Sequence, residues 1–141
     1  MNFYTEELKI INVDGGNVLH GLRSSDKNFK GFGELYFSWI KPKKVKAWKK
    51  HKLMTMNLIV PHGLVKFVIF NEKKPDKFHE VILGNSLEEM NYYKRLTIEP
   101  NLWFGFQGMG NMMSLVVNLA DIEHDPNEAE KSELSDINYS W

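Results

Sequence analysis

The sequence predicts an all-β fold, an antiparallel sandwich or barrel with little helix. Short apolar runs rich in β-branched and aromatic residues recur along the 141 residues, and turn residues separate them about every ten positions. Alternation is clearest at 65–70, where Val65 and Phe67 fall on one face of a strand and Lys66 on the other. The sequence has no long apolar pattern of period 3.6, which argues against alternating strands and helices.

Each apolar run predicts one strand. In chain order the eight predicted strands are Leu35–Ile40, Val45–Trp48, Leu53–Val60, Leu64–Asn71, His79–Leu83, Arg95–Ile98, Leu102–Gln107 and Met113–Leu119. The stretch PHG at 61–63 predicts a hairpin turn, and NEKKPD at 71–76 and GMGN at 108–111 predict the next turns. One short helix is predicted in NSLEEMN at 85–91, where Asn85 or Ser86 provides the N-cap.

Length and composition favour a single folded domain over residues 1–141, with N-terminal strands and an edge in 1–28. Hydrophobic residues make up 43% of the chain and aromatic residues 13%, enough for a packed core. The absence of cysteine excludes disulfides, thiolate zinc sites and a cysteine nucleophile. The N-terminus does not resemble a signal peptide, and no apolar run reaches the roughly 18 residues of a membrane span. We therefore expect a cytoplasmic protein without membrane insertion.

The charges are balanced overall but segregated along the chain. Lysine and arginine together number 18, as do aspartate and glutamate. Residues 41–52, the basic block, contain seven lysines, whereas residues 121–136, the acidic segment, contain seven acids and one base. Two interpretations are open. Either the two segments attract each other, within the fold or across a dimer, or each is an independently solvated face. The balanced net charge argues against a third interpretation, nucleic-acid binding by the basic block.

Short motifs provide no metal or phosphate site. In GFQGMG at 105–110 the glycines are not followed by a helix, as a phosphate-binding loop requires. HDPNE at 124–128 is more typical of turn chemistry than of a metal loop. The remaining histidines lack partners at metal-ligand spacing, so we predict no bound metal and no cofactor.

Several stretches, taken in order, resemble the cupin-fold nucleotide-sugar enzymes, that is, the dTDP-4-dehydrorhamnose 3,5-epimerases and the related dTDP-sugar 3,4-ketoisomerases. FKGFGELYF at 29–37 is similar to their Arg-Gly-x-Phe-x-Glu segment, and VKAWKKHK at 45–52 to the segment that ends in the catalytic histidine. LIVPHGLVKFVIFNE at 58–72 resembles a family hairpin. Two later segments of the family pattern are also matched, one by IEPNLWFGFQGMG at 98–110 and the other by residues 125–141. The resemblance implies a cupin, a jelly-roll barrel whose mouth holds a nucleotide-linked sugar.

The resemblance also implies roles for individual residues. His51 matches the second histidine of a family variant with two histidines, and Lys49 stands in the place of the first. We therefore predict His51 as the base and Lys49 as its catalytic partner. The residues that the resemblance implies for substrate binding are Lys30, Glu34, Lys46, Asn57, Phe104 and His124. It further implies a homodimer with exchanged edge strands.

Three departures from the family pattern bear on activity. Lys49 replaces a histidine, Phe104 replaces the histidine of the HGF motif, and no tyrosine lies near Glu123 and His124, where the epimerases carry their general acid. Epimerisation or ketoisomerisation needs a base for the proton beside the ketone and an acid that returns a proton. Lys49 can act near neutral pH only if burial or the nearby cations Lys46 and Lys50 lower its pKa.

Two functions remain open at this point. One is an epimerase or ketoisomerase of bacterial surface-polysaccharide synthesis. The other is a cupin that lost the chemistry and binds a sugar nucleotide or a pathway enzyme. Strand alternation, combined with the resemblance, predicts that Lys49 and His51 face the barrel interior and that Lys44 and Lys50 face outward. Lys46 would then point out of the cavity unless a bulge intervenes.

Overall fold

The fold is all-β and antiparallel, as the sequence predicts. The computed structural model describes residues 2–85 and 92–141. Its strands are β1 (Phe3–Glu7), β2 (Ile10–Ile11), β3 (Val18–Leu19), β4 (Glu34–Ile40), β5 (Val45–His51), β6 (Met56–Phe70), β7 (Phe78–Asn85), β8 (Lys94–Ile98), β9 (Trp103–Gly108), β10 (Ser114–Ala120) and β11 (Ala129–Lys131). Two single-turn 3₁₀ helices follow β10, at Pro126–Glu128 and Leu134–Asp136. Of the predicted helix, residues 86–91 lie outside the described residues.

Two sheets share the long strand β6. In the first sheet the strand order is β1-β8-β6-β10-β4, and in the second it is β7-β6-β9-β5-β11. Every one of these strand pairs is antiparallel. Two antiparallel sheets facing each other across an apolar core form the jelly-roll arrangement of the cupins.

The PHG stretch is not the predicted hairpin turn. The chain runs through residues 61–63 as part of β6, and Gly63 has a φ of +86°. Residues of β6 before this point pair with β8 and β10, whereas Gly63 and the residues after it pair with β7 and β9. The pairing with β10 changes register between Leu115 and Val117. Gly63 is therefore a bend at which one strand passes from the first sheet into the second.

The core lies between the sheets, and a second apolar cluster covers the outside of the second sheet. The main core includes Met54, Val65, Phe67 and Leu96, all fully buried. In the second cluster the indole of Trp48 packs with residues of the C-terminal tail and of β6. The chain end is therefore held against the sheet by contacts of Trp48 with Tyr139 and Trp141.

The acidic segment pairs with the basic block inside the fold. β11 lies antiparallel to β5, with Ala129 opposite His51 and Lys131 opposite Lys49. Backbone hydrogen bonds between Trp48 and Ser132, both 3.1 Å, extend this pairing. Of the two possibilities that the sequence leaves open, the two segments are in contact within the fold, through strand pairing and the Lys50–Glu130 ion pair. This contact brings residues after 125 beside β5. Within the described ranges no helix has the length and apolarity that a membrane crossing needs.

Candidate active site

A cavity of about 350 Å³ opens between the two sheets. Its size falls in the range of small-molecule sites. Apolar side chains form much of its wall, and polar and charged groups reach it from β4, β5, β10 and β11. The residues that line it are Tyr36, Ser38, Lys46, Ala47, Trp48, Lys49, His51, Met56, Leu58, Phe104, Phe106, Val116, Asn118 and Lys131.

An irregularity in β5 decides which lysines reach the cavity. Ala47 lies opposite Gly105 of β9 and Lys49 opposite Phe104, so Trp48 has no partner in the ladder. The Ala47–Trp48 peptide bond within this stretch is cis. Because one residue is inserted, alternation resets, and Lys46 lines the cavity together with Lys49. This is the bulge on which the predicted orientation of Lys46 depended.

His51 faces the cavity with a free ring nitrogen. The side chain is only 3% exposed, and its Nδ1 is hydrogen-bonded to Oε1 of Glu128. Nε2 is buried and has no partner among the described residues. The ring stacks on Phe104, with centroids 5.9 Å apart and planes 18° from parallel. Glu128 therefore fixes the tautomer that carries hydrogen on Nδ1, and Nε2 is left as the basic nitrogen.

Glu128 is held in place by the backbone that follows β5. Its Oε2 accepts hydrogen bonds from the amides of Lys52, Leu53 and Met54 at 3.1, 3.0 and 3.3 Å. Burial alone would raise the pKa of Glu128, but the hydrogen bonds from His51 and from the Leu53 amide outweigh it and hold the pKa below its usual range. The carboxylate is therefore ionised and accepts the hydrogen bond that the Nδ1–H group of His51 donates.

The pKa of His51 lies below its ordinary value. Burial of the ring lowers it, and the hydrogen bond to Glu128 offsets only part of that effect. The nearby charges of Lys49 and His124 lower it further. Near neutral pH the imidazole is thus uncharged, the state required of a general base.

Tyr36 brings a hydroxyl into the cavity from the facing sheet. Nδ2 of Asn118 donates a hydrogen bond to the phenol oxygen over 2.7 Å. Since this bond occupies the oxygen as an acceptor, the hydroxyl proton of Tyr36 is free to be donated to a ligand. Burial raises the pKa of Tyr36, so the phenol keeps its proton near neutral pH. The cavity therefore has a base on β5 and a proton donor on β4.

Lys49 is half-buried at the cavity wall and has no ion-pair partner among the described residues. Burial lowers its pKa, and the charge of Lys131 lowers it further, while Glu128 opposes the shift. From the sequence, burial or the cations Lys46 and Lys50 were expected to lower this pKa, and burial is the first cause found. The neighbouring cation is instead Lys131, which β11 places directly opposite Lys49.

Lys50 faces away from the cavity, as alternation predicts, but is not solvated. Its side chain is 8% exposed, and Nζ lies 2.8 Å from Oε2 of Glu72 and 3.2 Å from Oε2 of Glu130. The same ammonium group lies 5.2 Å from the ring centre of Trp103. Lys50 is thus on the predicted outer face, but two carboxylates and an indole cover it.

The other predicted ligand-binding residues differ in whether they line the cavity. Phe104 lines the cavity beside His51, but Lys30 is exposed and does not line it. Asn57 is buried elsewhere: its amide nitrogen donates to the carbonyl of Asn28, and its oxygen accepts from Thr97. Their roles in binding stay predictions.

Glu34 and His124 lie next to each other outside the cavity lining. Oε1 of Glu34 accepts a hydrogen bond from the backbone amide of His124 over 2.9 Å. This bond ties the start of β4 to the loop after β10. A role for either side chain in ligand binding also stays a prediction.

Four cavity or supporting residues were missed from the sequence: Tyr36, Asn118, Glu128 and Lys131. Tyr36 had a visible signal, since it lies two residues after Glu34 on a predicted strand. Glu128 lay within HDPNE, which was interpreted as turn chemistry. That interpretation holds for Asp125, which caps the 3₁₀ turn by accepting from the amide of Asn127 at 2.9 Å. The pairing of β11 with β5 brings the carboxylate of Glu128 to His51. No local sequence pattern predicts that pairing.

Solved structures with this fold identify the family. A dTDP-sugar isomerase from Desulfovibrio desulfuricans G20 is 39% identical, with a TM-score of 0.89, over 99% of this chain and 90% of that chain. The chain belongs to the cupin-fold nucleotide-sugar epimerase and ketoisomerase superfamily. No protein-family model and no curated protein matches the sequence.

More distant members of the superfamily share the fold alone. A sugar 3,4-ketoisomerase from Thermoanaerobacterium thermosaccharolyticum, solved with TDP, is 20% identical with a TM-score of 0.75, covering 97% of this chain and 93% of that chain. A 3′-monoepimerase from Streptomyces bikiniensis, solved with dTDP-quinovose, is 11% identical with a TM-score of 0.80, covering 99% and 75%. The superfamily fold thus accommodates both kinds of reaction.

The described residues include no group of three or more histidine, aspartate or glutamate side chains arranged to hold a metal ion. His51 and Glu128 are bound to each other, and the remaining charged groups at the cavity are lysines. What this cavity offers a ligand is therefore one basic nitrogen, one phenol and several cations.

Proposed function

We propose that this protein is an isomerase that moves a proton at the carbon beside the ketone of a dTDP-linked keto-sugar. The observation that carries the proposal is His51, which lines the cavity, whose Nδ1 is held by Glu128 and whose Nε2 has no hydrogen-bond partner among the described residues. The identity to a dTDP-sugar isomerase along nearly the whole chain supports the substrate class. No cofactor is needed, because the ketone itself acidifies the neighbouring C–H bond.

The reaction begins with His51. Its Nε2 removes the proton beside the ketone, and the electron pair of the broken C–H bond moves to the carbonyl oxygen, giving an enolate. Glu128 stabilises the imidazolium that forms, as a carboxylate does for a histidine base. The Lys49 ammonium stabilises the negative charge on the enolate oxygen, and a low-dielectric cavity strengthens that interaction.

The return of the proton sets the product. If Tyr36 returns a proton to the same carbon from the facing sheet, the product is an epimer. If instead the hydroxyl on the deprotonated carbon passes its proton to the enolate oxygen, and a proton is added to the former carbonyl carbon, the deprotonated carbon becomes the new ketone and the product is a ketoisomer. The absence of a tyrosine near His124 suggested an inactive protein, but Tyr36 offers a phenol to the same cavity from β4. This weakens the case for a non-catalytic binding protein.

The cations near the cavity suit a diphosphate. Lys46 is exposed, and its Nζ donates to the carbonyl of Trp39 over 2.7 Å, at the edge of β4. Lys131 is exposed on β11. Each lysine presents a point charge and not the two parallel N–H donors of an arginine. The two lysines therefore favour binding of a phosphate without fixing its orientation. We assign the sugar to the apolar interior and the diphosphate to this rim.

A homodimer is part of the proposal. β4 pairs only with β10 within the described residues, and its outward side chains Leu35, Phe37 and Trp39 are 44%, 60% and 53% exposed. An unpaired edge bearing a row of large apolar residues is a surface that a second copy would cover. We further propose that the dimer acts in the cytoplasm, in the synthesis of a surface polysaccharide such as lipopolysaccharide.

The proposal is tested by binding and by conversion. dTDP at about a hundred times its dissociation constant should stabilise the protein by about 2.7 kcal/mol, with a matching rise in melting temperature. GDP and UDP provide the comparison. Proton NMR of a dTDP-linked 4-keto-6-deoxy sugar incubated with the protein should show an epimer or a ketoisomer. Absence of conversion together with absence of dTDP-dependent stabilisation would contradict the proposal.

A further inference from the structure

Lys50 lies directly behind the wall that carries the base. β5 turns Lys49 and His51 toward the cavity, whereas Lys50 between them points to the opposite face. There the ammonium group bridges Glu72, in the turn two residues after β6, and Glu130, on β11, at 2.8 and 3.2 Å. Its side chain is 8% exposed although both carboxylates remain about half exposed. Lys50 is thus the buried cation between two strand ends.

Glu130 belongs to the same short segment as Glu128. Pro126–Glu128 is a single 3₁₀ turn, and β11 follows it at once with three residues paired to β5. The residues on either side of Glu128 are exposed or half-buried, so this segment has little apolar contact of its own. A three-residue edge strand gains little stability from its ladder alone. Within β11 itself, the ion pair between Lys50 and Glu130 is the one salt bridge to β5 among the described residues. Glu128, just before β11, is bound in addition by His51 and by the amides that follow β5.

We propose that Lys50 is a positioning residue, whose ammonium group holds β11 against β5 and thereby keeps Glu128 on Nδ1 of His51. The inference deepens the proposed function, because it rests on His51 acting as the base. Lys50 reaches neither the cavity nor a ligand, so it acts only through Glu130 and the segment that carries Glu128.

Removal of this cation has a defined consequence. Glu72 and Glu130 would be left near each other without the charge between them, and like charges repel. Glu130 would move away and take β11 with it. His51 would then lose the acceptor that keeps hydrogen on Nδ1, and a free neutral imidazole also places hydrogen on Nε2. A protonated Nε2 cannot remove a proton from the sugar.

The test compares four variants: Lys50→Met, Lys50→Arg, Glu130→Gln and Glu72→Gln. Nitrogen-15 NMR of the His51 ring, recorded without substrate at neutral pH, reports which nitrogen carries the hydrogen. We expect the wild type and Lys50→Arg to hold it on Nδ1. Lys50→Met and Glu130→Gln should shift it toward Nε2, while Glu72→Gln, which leaves the Glu130 contact in place, should shift it less.

Turnover of the keto-sugar is the second readout. Lys50→Met and Glu130→Gln should lower kcat on the order of 100-fold, the size of effect that a small displacement of a catalytic group produces. KM should change little, because Lys50 does not touch the ligand. Lys50→Arg should restore most of the activity, since a second cation can replace the first. If Lys50→Met does not fold, Glu130→Gln and Lys50→Arg still decide the question.

The two proposals fail in different ways. A His51 ring that keeps its hydrogen on Nδ1 in Lys50→Met or in Glu130→Gln overturns the positioning role, whatever the activity. If the tautomer shifts as expected but the wild type converts no nucleotide sugar, the positioning role stands and the proposed function fails.

Discussion

At the scale of single residues, Lys49 stands where the resemblance to the family implies a histidine, and the lysine changes what the cavity wall contributes. A histidine there would be a second base, whereas an ammonium group is a charge that an enolate or a phosphate can use. Burial and Lys131 both lower the pKa of Lys49, so this charge is lost at a lower pH than that of an ordinary lysine. The pH dependence of the reaction therefore reports on the role of Lys49.

The first prediction concerns the pH profile of kcat/KM. As the pH falls through the pKa of His51, which lies below 6.5, Nε2 becomes protonated and activity is lost. As the pH rises through the pKa of Lys49, which lies below 10.5, the cation is lost and activity falls again. Lys49→Arg keeps its charge at high pH, so its alkaline limb should move upward. Lys44→Arg is the control on the exposed face, and an alkaline limb that is the same in Lys49→Arg and wild type would contradict the assignment.

The second prediction separates proton removal from proton return. Tyr36→Phe removes the phenol but leaves His51 and Glu128 in place, so turnover should fall by about 10²- to 10⁴-fold. Exchange of the sugar proton with solvent should continue, because His51 still forms the enolate. Tyr4→Phe, at an exposed position, should leave both rates unchanged. Turnover and exchange that fall in parallel in Tyr36→Phe would show that Tyr36 is not the proton donor.

Strand alternation and the family position together predicted that Lys49 and His51 face inward, and both side chains line the cavity. Their catalytic roles stay predictions. Residue-scale inference from sequence could not settle Lys46, because an inserted residue in β5 resets the alternation and leaves no mark in the sequence. It placed Lys50 on the correct face but could not foresee its burial, which depends on Glu72 and Glu130 from distant parts of the chain.

At the scale of elements, β4 shows why apolar alternation can mislead. Leu35, Phe37 and Trp39 form the apolar face, but they point outward, while Tyr36 and Ser38 line the cavity. A pattern of period two identifies two faces without saying which one is interior. The proposed second copy would explain why the apolar face is outside.

Two other elements could not be predicted correctly from the local sequence, for different reasons. β11 has three residues, of which only Ala129 is apolar, so the strand propensity of its sequence does not predict it. β6 was predicted as two strands because Pro61 and Gly63 normally terminate strands. In this fold a bent strand belongs to both sheets, and the turn residues serve the bend. The strand segments were thus recognisable from sequence, but their connection was not.

The third prediction tests that bend. Gly63 has a φ of +86°, and a Cβ there would meet the side chain and backbone of Ser114. Gly15 has a φ of +88° in an exposed turn, and a Cβ there would meet no atom within 4 Å. Gly15→Ala should cost about 1–2 kcal/mol from the backbone conformation alone. Gly63→Ala should cost roughly a further 1–3 kcal/mol from overpacking. Urea unfolding measures both, and equal losses would show that the approach of β10 to this bend is not tight.

At the scale of the whole molecule, the proposed dimer depends on the outer face of β4. The fourth prediction is that the wild type elutes as a dimer and that Phe37→Lys shifts the mass measured by light scattering to that of a monomer. A charge placed in the middle of an apolar contact is left without a partner and desolvated. Lys66→Glu, on the second sheet away from β4, is the control. A wild type that is monomeric at micromolar concentration would contradict the dimer.

The central claim is that His51, oriented by Glu128, removes the proton beside the ketone of a nucleotide-linked sugar. The most direct measurement follows deuterium incorporation by NMR into a dTDP-linked 4-keto-6-deoxy sugar in deuterated water. The wild type should incorporate deuterium at the carbon beside the ketone. His51→Gln, which cannot act as a base, should abolish exchange while binding dTDP with an affinity within about threefold of wild type, because His51 is assigned to the sugar and not to the diphosphate. Exchange that persists at the wild-type rate in His51→Gln, or that is absent from a wild type that binds dTDP, would contradict the claim.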